Sequence, residues 1–126
     1  MAGKQRRHFF RVETDIVASG AVLDGPGASM LFDARVLNVS AGGAWLELPV
    51  SLEEGQLLRL GLRSEDPPLD LHGRARVVHC REGHAGVEFV DIDARSRAIV
   101  TRFVFAQAQR LGVKPEYAPP GSVRAA

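Results

Sequence analysis

Over roughly the first ninety positions the apolar residues recur at every second place, and the breaks between runs carry glycine, proline and acidic side chains. From Val12 to Leu23, Val12, Thr14 and Ile16 alternate with polar neighbours until Asp24-Gly25-Pro26-Gly27, which predicts a strand ending in a turn. The extended pattern resumes from Ser29 to Leu37, is broken by Asn38-Val39-Ser40-Ala41-Gly42-Gly43, and returns from Ala44 to Leu48. That is the outline of a hairpin with an unusual connection. Pro49 and Glu53-Glu54-Gly55 mark the next break, and Leu58, Leu60 and Leu62 set one face of a strand that Asp66-Pro67-Pro68 ends. Leu71 to Cys80 and Ala85 to Val90 make a last pair around Arg81-Glu82-Gly83, whose glycine suits a hairpin loop. Six short strands at this spacing predict a small, closed or nearly closed antiparallel β-barrel of the mainly β class.

The period then changes. From Ala94 to Leu111 the residues Ile99, Val100, Phe103, Val104 and Leu111 fall on one face at helical spacing, with Arg95, Arg102 and Gln109 elsewhere. Asp91 or Asp93 is placed to cap this helix, and Gly112 with Pro115 to stop it. Phe105 falls off the apolar stripe, as a dimer or partner contact would. The expected organisation is a basic arm over residues 1–12, a barrel with one carboxy-terminal α-helix over 13–112, and a flexible tail with Pro115, Pro119, Pro120 and Gly121 over 113–126. The helix is expected to cover an open end of the barrel or to extend toward a partner.

Composition narrows the function classes. A chain of 126 residues, 45% hydrophobic and 25% charged, is the size and make-up of one globular domain. Its net charge of +1 provides no global field for nucleic acid or an acidic membrane, so any basic patch is local. A single cysteine, Cys80, excludes an internal disulfide and a cysteine-cluster zinc site, and points to a reducing, cytoplasmic location. The opening MAGKQRRHFF has positive charge but no apolar run behind it, so no signal peptide is expected. No run approaches the roughly 18 to 20 apolar residues of a membrane span, so no membrane insertion is expected either.

Catalytic chemistry finds no support in the pattern. Glu53-Glu54 falls in a loop, Asp91 and Asp93 suit a helix start, and Cys80 reads as a small apolar strand residue. His72, His79 and His84 lack a regular metal-ligand spacing. The chain is expected to be no enzyme and to need neither metal nor cofactor.

Two clusters remain. Arg6, Arg7 and Arg11 surround Phe9 and Phe10; a basic terminus is ordinarily a solvated tail, but a solvated tail has little use for two phenylalanines. Guanidinium groups grip phosphate, or the O6/N7 edge of guanine, in bidentate fashion. Arg7 and Arg11 lie about 13 Å apart if the arm is extended and on one face if it curls. The phenylalanines would anchor such an arm to the barrel. In the second cluster Asn38 offers a donor and an acceptor, Ser40 a hydroxyl, and Gly43 room for a turn and for close approach of a ligand. Asn38 and Ser40 share a side if the segment is extended.

Taken together, Arg7-x-x-x-Arg11 followed by Asn38-x-Ser40-x-x-Gly43, with Gly86-Val87-Glu88-Phe89 ahead of a helix, resembles the two-part signature of the PilZ domain family, the bacterial receptors for cyclic di-GMP. The resemblance covers roughly Gln5 to Leu111. It implies a six-stranded barrel whose outer surface beside the arginine motif binds cyclic di-GMP. Arg7 and Arg11 would contact guanine and phosphate groups, Asn38 and Ser40 a guanine edge, and Gly43 would be the turn residue, with Arg6 as an added basic contact. The family pattern takes Asp or Asn at position 38, and Asn lacks the charge that would pair with an arginine. His79, on the penultimate strand, would stack on a guanine if it faced the site, and its face depends on whether a bulge intervenes.

The expected function is a receptor that orders its arm over the nucleotide and passes that state to a downstream protein partner. The alternative is a PilZ-like interaction scaffold that does not bind nucleotide. A barrel for single-stranded nucleic acid would need a basic groove with several stacking aromatics, against 6% aromatic residues here.

Overall fold

The period-two segments form six strands and the period-3.6 segment one helix in the computed structural model, which describes residues 10–113. They are β1 (Arg11–Val22), β2 (Leu31–Ser40), β3 (Gly43–Glu47), β4 (Leu57–Glu65), β5 (Pro68–Arg81), β6 (His84–Phe89) and α1 (Ala94–Leu111). Arg6, Arg7, Phe9, Pro115 and all but the first residue of the expected tail lie outside the described residues.

Every neighbouring pair is antiparallel, and the sheet closes in the order β1-β2-β3-β6-β5-β4. Closure gathers the inward residues of all six strands into one core, with Val36, Val39, Leu46, Leu58, Leu62 and Val77 almost fully buried. Each such side chain contributes about 1.5–3 kcal/mol relative to an exposed one, so the alternation determines which way each strand faces. Three register shifts interrupt it: in β1 between Glu13 and Ile16, in β2 between Val36 and Asn38, and in β5 between Val77 and His79.

The helix closes one end of the barrel. Val100, Phe103, Val104 and Ala108 are buried against it, and Gln107 Nε2 donates to the Glu13 carbonyl at 3.1 Å. Asp93 is the cap: its carboxylate accepts from the Ser96 amide at 2.7 Å, which holds its pKa below the ordinary carboxylate value. Gly112 stops the helix in the left-handed region at φ 71°. Leu111, expected on the buried stripe, is 48% exposed because the last turn runs beyond the core; Ala108 takes the buried place instead. No helix among the described residues is long and apolar enough to cross a membrane.

Three strands, β2, β4 and β5, run further than the sequence pattern indicates. β2 continues through Asn38 to Ser40, and Asp66-Pro67 is a two-residue hairpin connection, with Glu65 paired to Pro68. Near the opposite end of β2, the buried Gln56 organises the loops. Its amide nitrogen donates to the carbonyls of Asp24 and Pro26 at 2.8 and 2.9 Å, and its amide oxygen accepts from the Glu53 N–H at 2.7 Å. A buried amide is stable only with such partners.

Candidate ligand-binding face

Strand register, rather than closeness in sequence, brings the predicted residues together. Arg11 opens β1 opposite Ser40 at the end of β2. Beside them runs a lateral row in which Glu13 pairs with Asn38, Asn38 with Trp45, Trp45 with Gly86, and Gly86 with His79. At about 4.8 Å per strand this row spans about 19 Å of the outer surface.

The register shifts aim the side chains. In β2 Val36 and Val39 are buried while Asn38 and Ser40 remain partly exposed, an arrangement strict alternation from Val36 would not give. In β5 the shift after Val77 leaves both Val78 and His79 exposed. His79 therefore faces outward on the same row as Asn38, the face that parity alone left open. The Asn38 amide has no hydrogen-bond partner among the described residues, so its donors and acceptor are open to a ligand.

The connection after Asn38 is built from several directions. Ser40 Oγ accepts from the amides of Gly42 and Gly43 at 3.1 and 3.2 Å, closing the turn on itself. The Gly42 carbonyl accepts from the Phe89 amide of β6 at 2.9 Å, and the Ala41 carbonyl accepts from Arg97 of α1 at 2.7 Å. Gly43 is the first residue of β3, paired with Glu88, rather than the tip of the turn. A Cβ there would lie 2.1 Å from the Val87 carbonyl oxygen. Its lack of a side chain thus serves the approach of β6, a packing reason that the motif alone does not reveal.

Of the two phenylalanines expected to anchor the arm, Phe9 lies outside the described residues and Phe10 is held. Phe10 packs against the core and stacks on Phe105 of α1, with ring centroids 6.3 Å apart and planes 11° from parallel. Phe105, off the buried stripe, receives the ring that precedes Arg11.

Trp45 carried no signal of its own in the sequence analysis. The trace that would have found it is parity, since Ala44 and Leu46 are buried and Gly43, Trp45 and Glu47 take the other face. Its indole lies near-parallel to His84 at 5.7 Å and to His79 at 6.0 Å. Below this row Arg35 bridges Asp15 at 2.9 Å and Glu47 at 3.0 Å, and the hydrogen bond to Asp15 foremost raises its pKa. All three are exposed, so the network adds little stability, and with two carboxylates on one guanidinium it leaves that margin of the face with a net negative charge. A cleft of about 790 Å³ lined by Ser19, Leu31, Asp33, Arg59 and His72, among others, contains none of the predicted residues.

The PilZ domain family model matches residues 5–106. No curated protein matches the chain. Among solved structures it is similar to the inhibitor of motility MotI/DgrA of Bacillus subtilis, at 19% identity and TM-score 0.69, over 88% of this chain and 54% of that one. The PilZ domain of YcgR from Escherichia coli, solved with c-di-GMP, matches at 16% identity and TM-score 0.68, over 85% of this chain and 95% of that one. The PilZ domain of CeSA from a cellulose-synthesizing bacterium matches at 21% identity and TM-score 0.58, over 75% of this chain and 94% of that one. The chain thus spans about half the length of the Bacillus protein.

Proposed function

The chain belongs to the PilZ domain family, and from that premise we propose that it is a non-enzymatic receptor module for cyclic di-GMP. The observation that carries this reading is the register placing Arg11 beside Ser40, and the open amide of Asn38 one step away, on one outer face at the root of the arm. Arg6 and Arg7, which precede this face in the sequence and lie outside the described residues, would add their guanidinium groups to the same ligand. Guanidinium groups take the phosphates and the O6/N7 edge of a guanine, and the Asn38 amide pairs with a guanine edge. Ser40 Oγ accepts from the two turn amides, and its hydroxyl proton, which donates to the Gly43 carbonyl at a long 3.5 Å, can turn to a guanine edge instead. Gly43 lets β3 sit against β6, and His79 flanks the ligand at the far end of the row. The E. coli domain solved with c-di-GMP supports the reading through its fold.

Signalling follows from where the arm is tied. Phe10 on Phe105 and Arg97 on the Ala41 carbonyl link the arm root and the turn to α1. Neutralising the arginines and closing the arm changes the charge and shape presented to a downstream protein, which responds to the extent that it prefers the closed state.

Isothermal titration calorimetry with cyclic di-GMP, and GTP as control, tests the proposal. Selective binding is expected. Arg7→Ala with Arg11→Ala should weaken it at least about a hundredfold, and Asn38→Ala about tenfold at an unchanged melting temperature, since a good bidentate contact discriminates by about 1–3 kcal/mol. A folded protein that binds neither nucleotide would overturn the reading in favour of a scaffold.

A further inference from the structure

The outer face carries a feature that neither motif accounts for. Of the larger aromatic side chains, Phe32, Phe89 and Phe103 are buried in the core, whereas Trp45, the single tryptophan of the chain, sits on the outward parity of β3. Its register neighbours are Asn38 on one side and Gly86 on the other. Gly86 does not take a positive φ, so no turn demands a glycine there. A Cβ at Gly86 would lie 3.1 Å from Cε3 and 3.3 Å from Cζ3 of the indole. A glycine inside a strand weakens it and marks a place where something approaches closely; here it leaves room for the indole to lie over β6. His84 and His79 run near-parallel to the ring, 9° and 22° from its plane. A ring held this way has little freedom left to lose when a ligand arrives.

We propose that Trp45, positioned by Gly86, His79 and His84, is a stacking platform for one purine base of the ligand, so that the site selects cyclic purine dinucleotides by ring face as well as by base edge. The inference rests on the receptor reading above. The indole lies over β6, two strands or about 10 Å from Asn38 on β2, so a purine resting on it extends back across β3 to bring its edge toward the Asn38 amide. Stacking surface and hydrogen-bonding edge then act on the same base. A pyrimidine offers less surface and gains less from the indole.

Calorimetry and the intrinsic emission of Trp45 test this together, with cyclic di-GMP and cyclic di-UMP as probes. Cyclic di-GMP is expected to change the emission saturably, with the same Kd as the heat curve. Trp45→Leu should bind it about tenfold more weakly, Trp45→Phe should restore most of the loss, and cyclic di-UMP should distinguish the variants by a smaller factor. If the wild-type chain binds cyclic di-GMP but Trp45→Leu binds it equally well, the platform is overturned and the receptor reading stands. Should the leucine variant fail to fold, the wild-type emission decides: an emission unchanged at saturating ligand overturns the platform. Absence of binding by the folded wild-type chain overturns both.

Discussion

At opposite ends of β2 lie two glycine-bearing connections, Asp24-Gly25-Pro26-Gly27 and Ser40-Ala41-Gly42-Gly43, which look alike as sequence and differ in construction. In the first, Gly25 and Gly27 take φ of 71° and 82°, the left-handed region that other residues adopt at a cost. That loop is shaped by its own backbone, with the Gln56 amide holding it in place. In the second, neither glycine is left-handed. Its shape is closed from within by Ser40 Oγ and fixed from outside by the β6 backbone against Gly43, the Phe89 amide on Gly42 and the Arg97 side chain on Ala41. A turn fixed by distant strands and a helix can hold its neighbours still for a ligand, and this one adjoins Asn38 and Ser40. A glycine-rich motif can therefore record a packing constraint behind a binding face instead of a flexible loop at its front.

Substitutions separate the two constructions. Gly43→Ala should have the largest effect, because its Cβ would lie 2.1 Å from a strand carbonyl that has no room to yield. A loss of about 3 kcal/mol is expected by denaturant unfolding, with ligand binding falling because the turn is displaced. If the alanine variant were as stable as wild type, the packing explanation would fail. Ser40→Ala should be next, at about 1–2 kcal/mol, since two partly buried amides lose their acceptor. Stability and affinity should fall together there, in contrast to Asn38→Ala, where affinity falls alone. Gly27→Ala should cost about 1 kcal/mol through its positive φ and leave affinity at the wild-type value. Gly27→Asn should recover part of that loss, as asparagine tolerates the left-handed region better. A thermal melt and a binding isotherm on each variant would reveal any exchange of roles.

The same contrast explains how much could be read from the chain. Strand alternation and the helical stripe marked all six strands and α1, because burying one face is the dominant energetic term and leaves a period in the sequence. Asp93 and Gly112 were legible for local reasons, a carboxylate that accepts from the first turn and a glycine that turns left-handed. The reach of β2 through Asn38 and Ser40 was not, because it depends on pairing with Arg11 and Glu13 some twenty-five residues away. His79 needed the register shift after Val77 to define its face. Trp45 was invisible for a different reason: a residue on the outward parity of a strand leaves no period, and its meaning comes from Gly86, His79 and His84 on other strands. Arg11, Asn38, Ser40 and Gly43 were singled out through the resemblance to the PilZ signature, and the packing reason for Gly43 lies in β6.

The closed strand order carries a last consequence, for how another protein can engage this one. Among the described residues every strand has a neighbour on each side, yet β1 meets β4 only from Val17 to Val22 and β2 meets β3 only from Arg35 to Val39, so backbone lies open in short stretches and along no whole strand. A visiting peptide that added itself as a further strand would find only short lengths to pair with, such as Leu31 to Ala34 of β2. Recognition is left mainly to side chains standing on the barrel and on α1, which single substitutions can retune while every backbone hydrogen bond of the barrel stays in place.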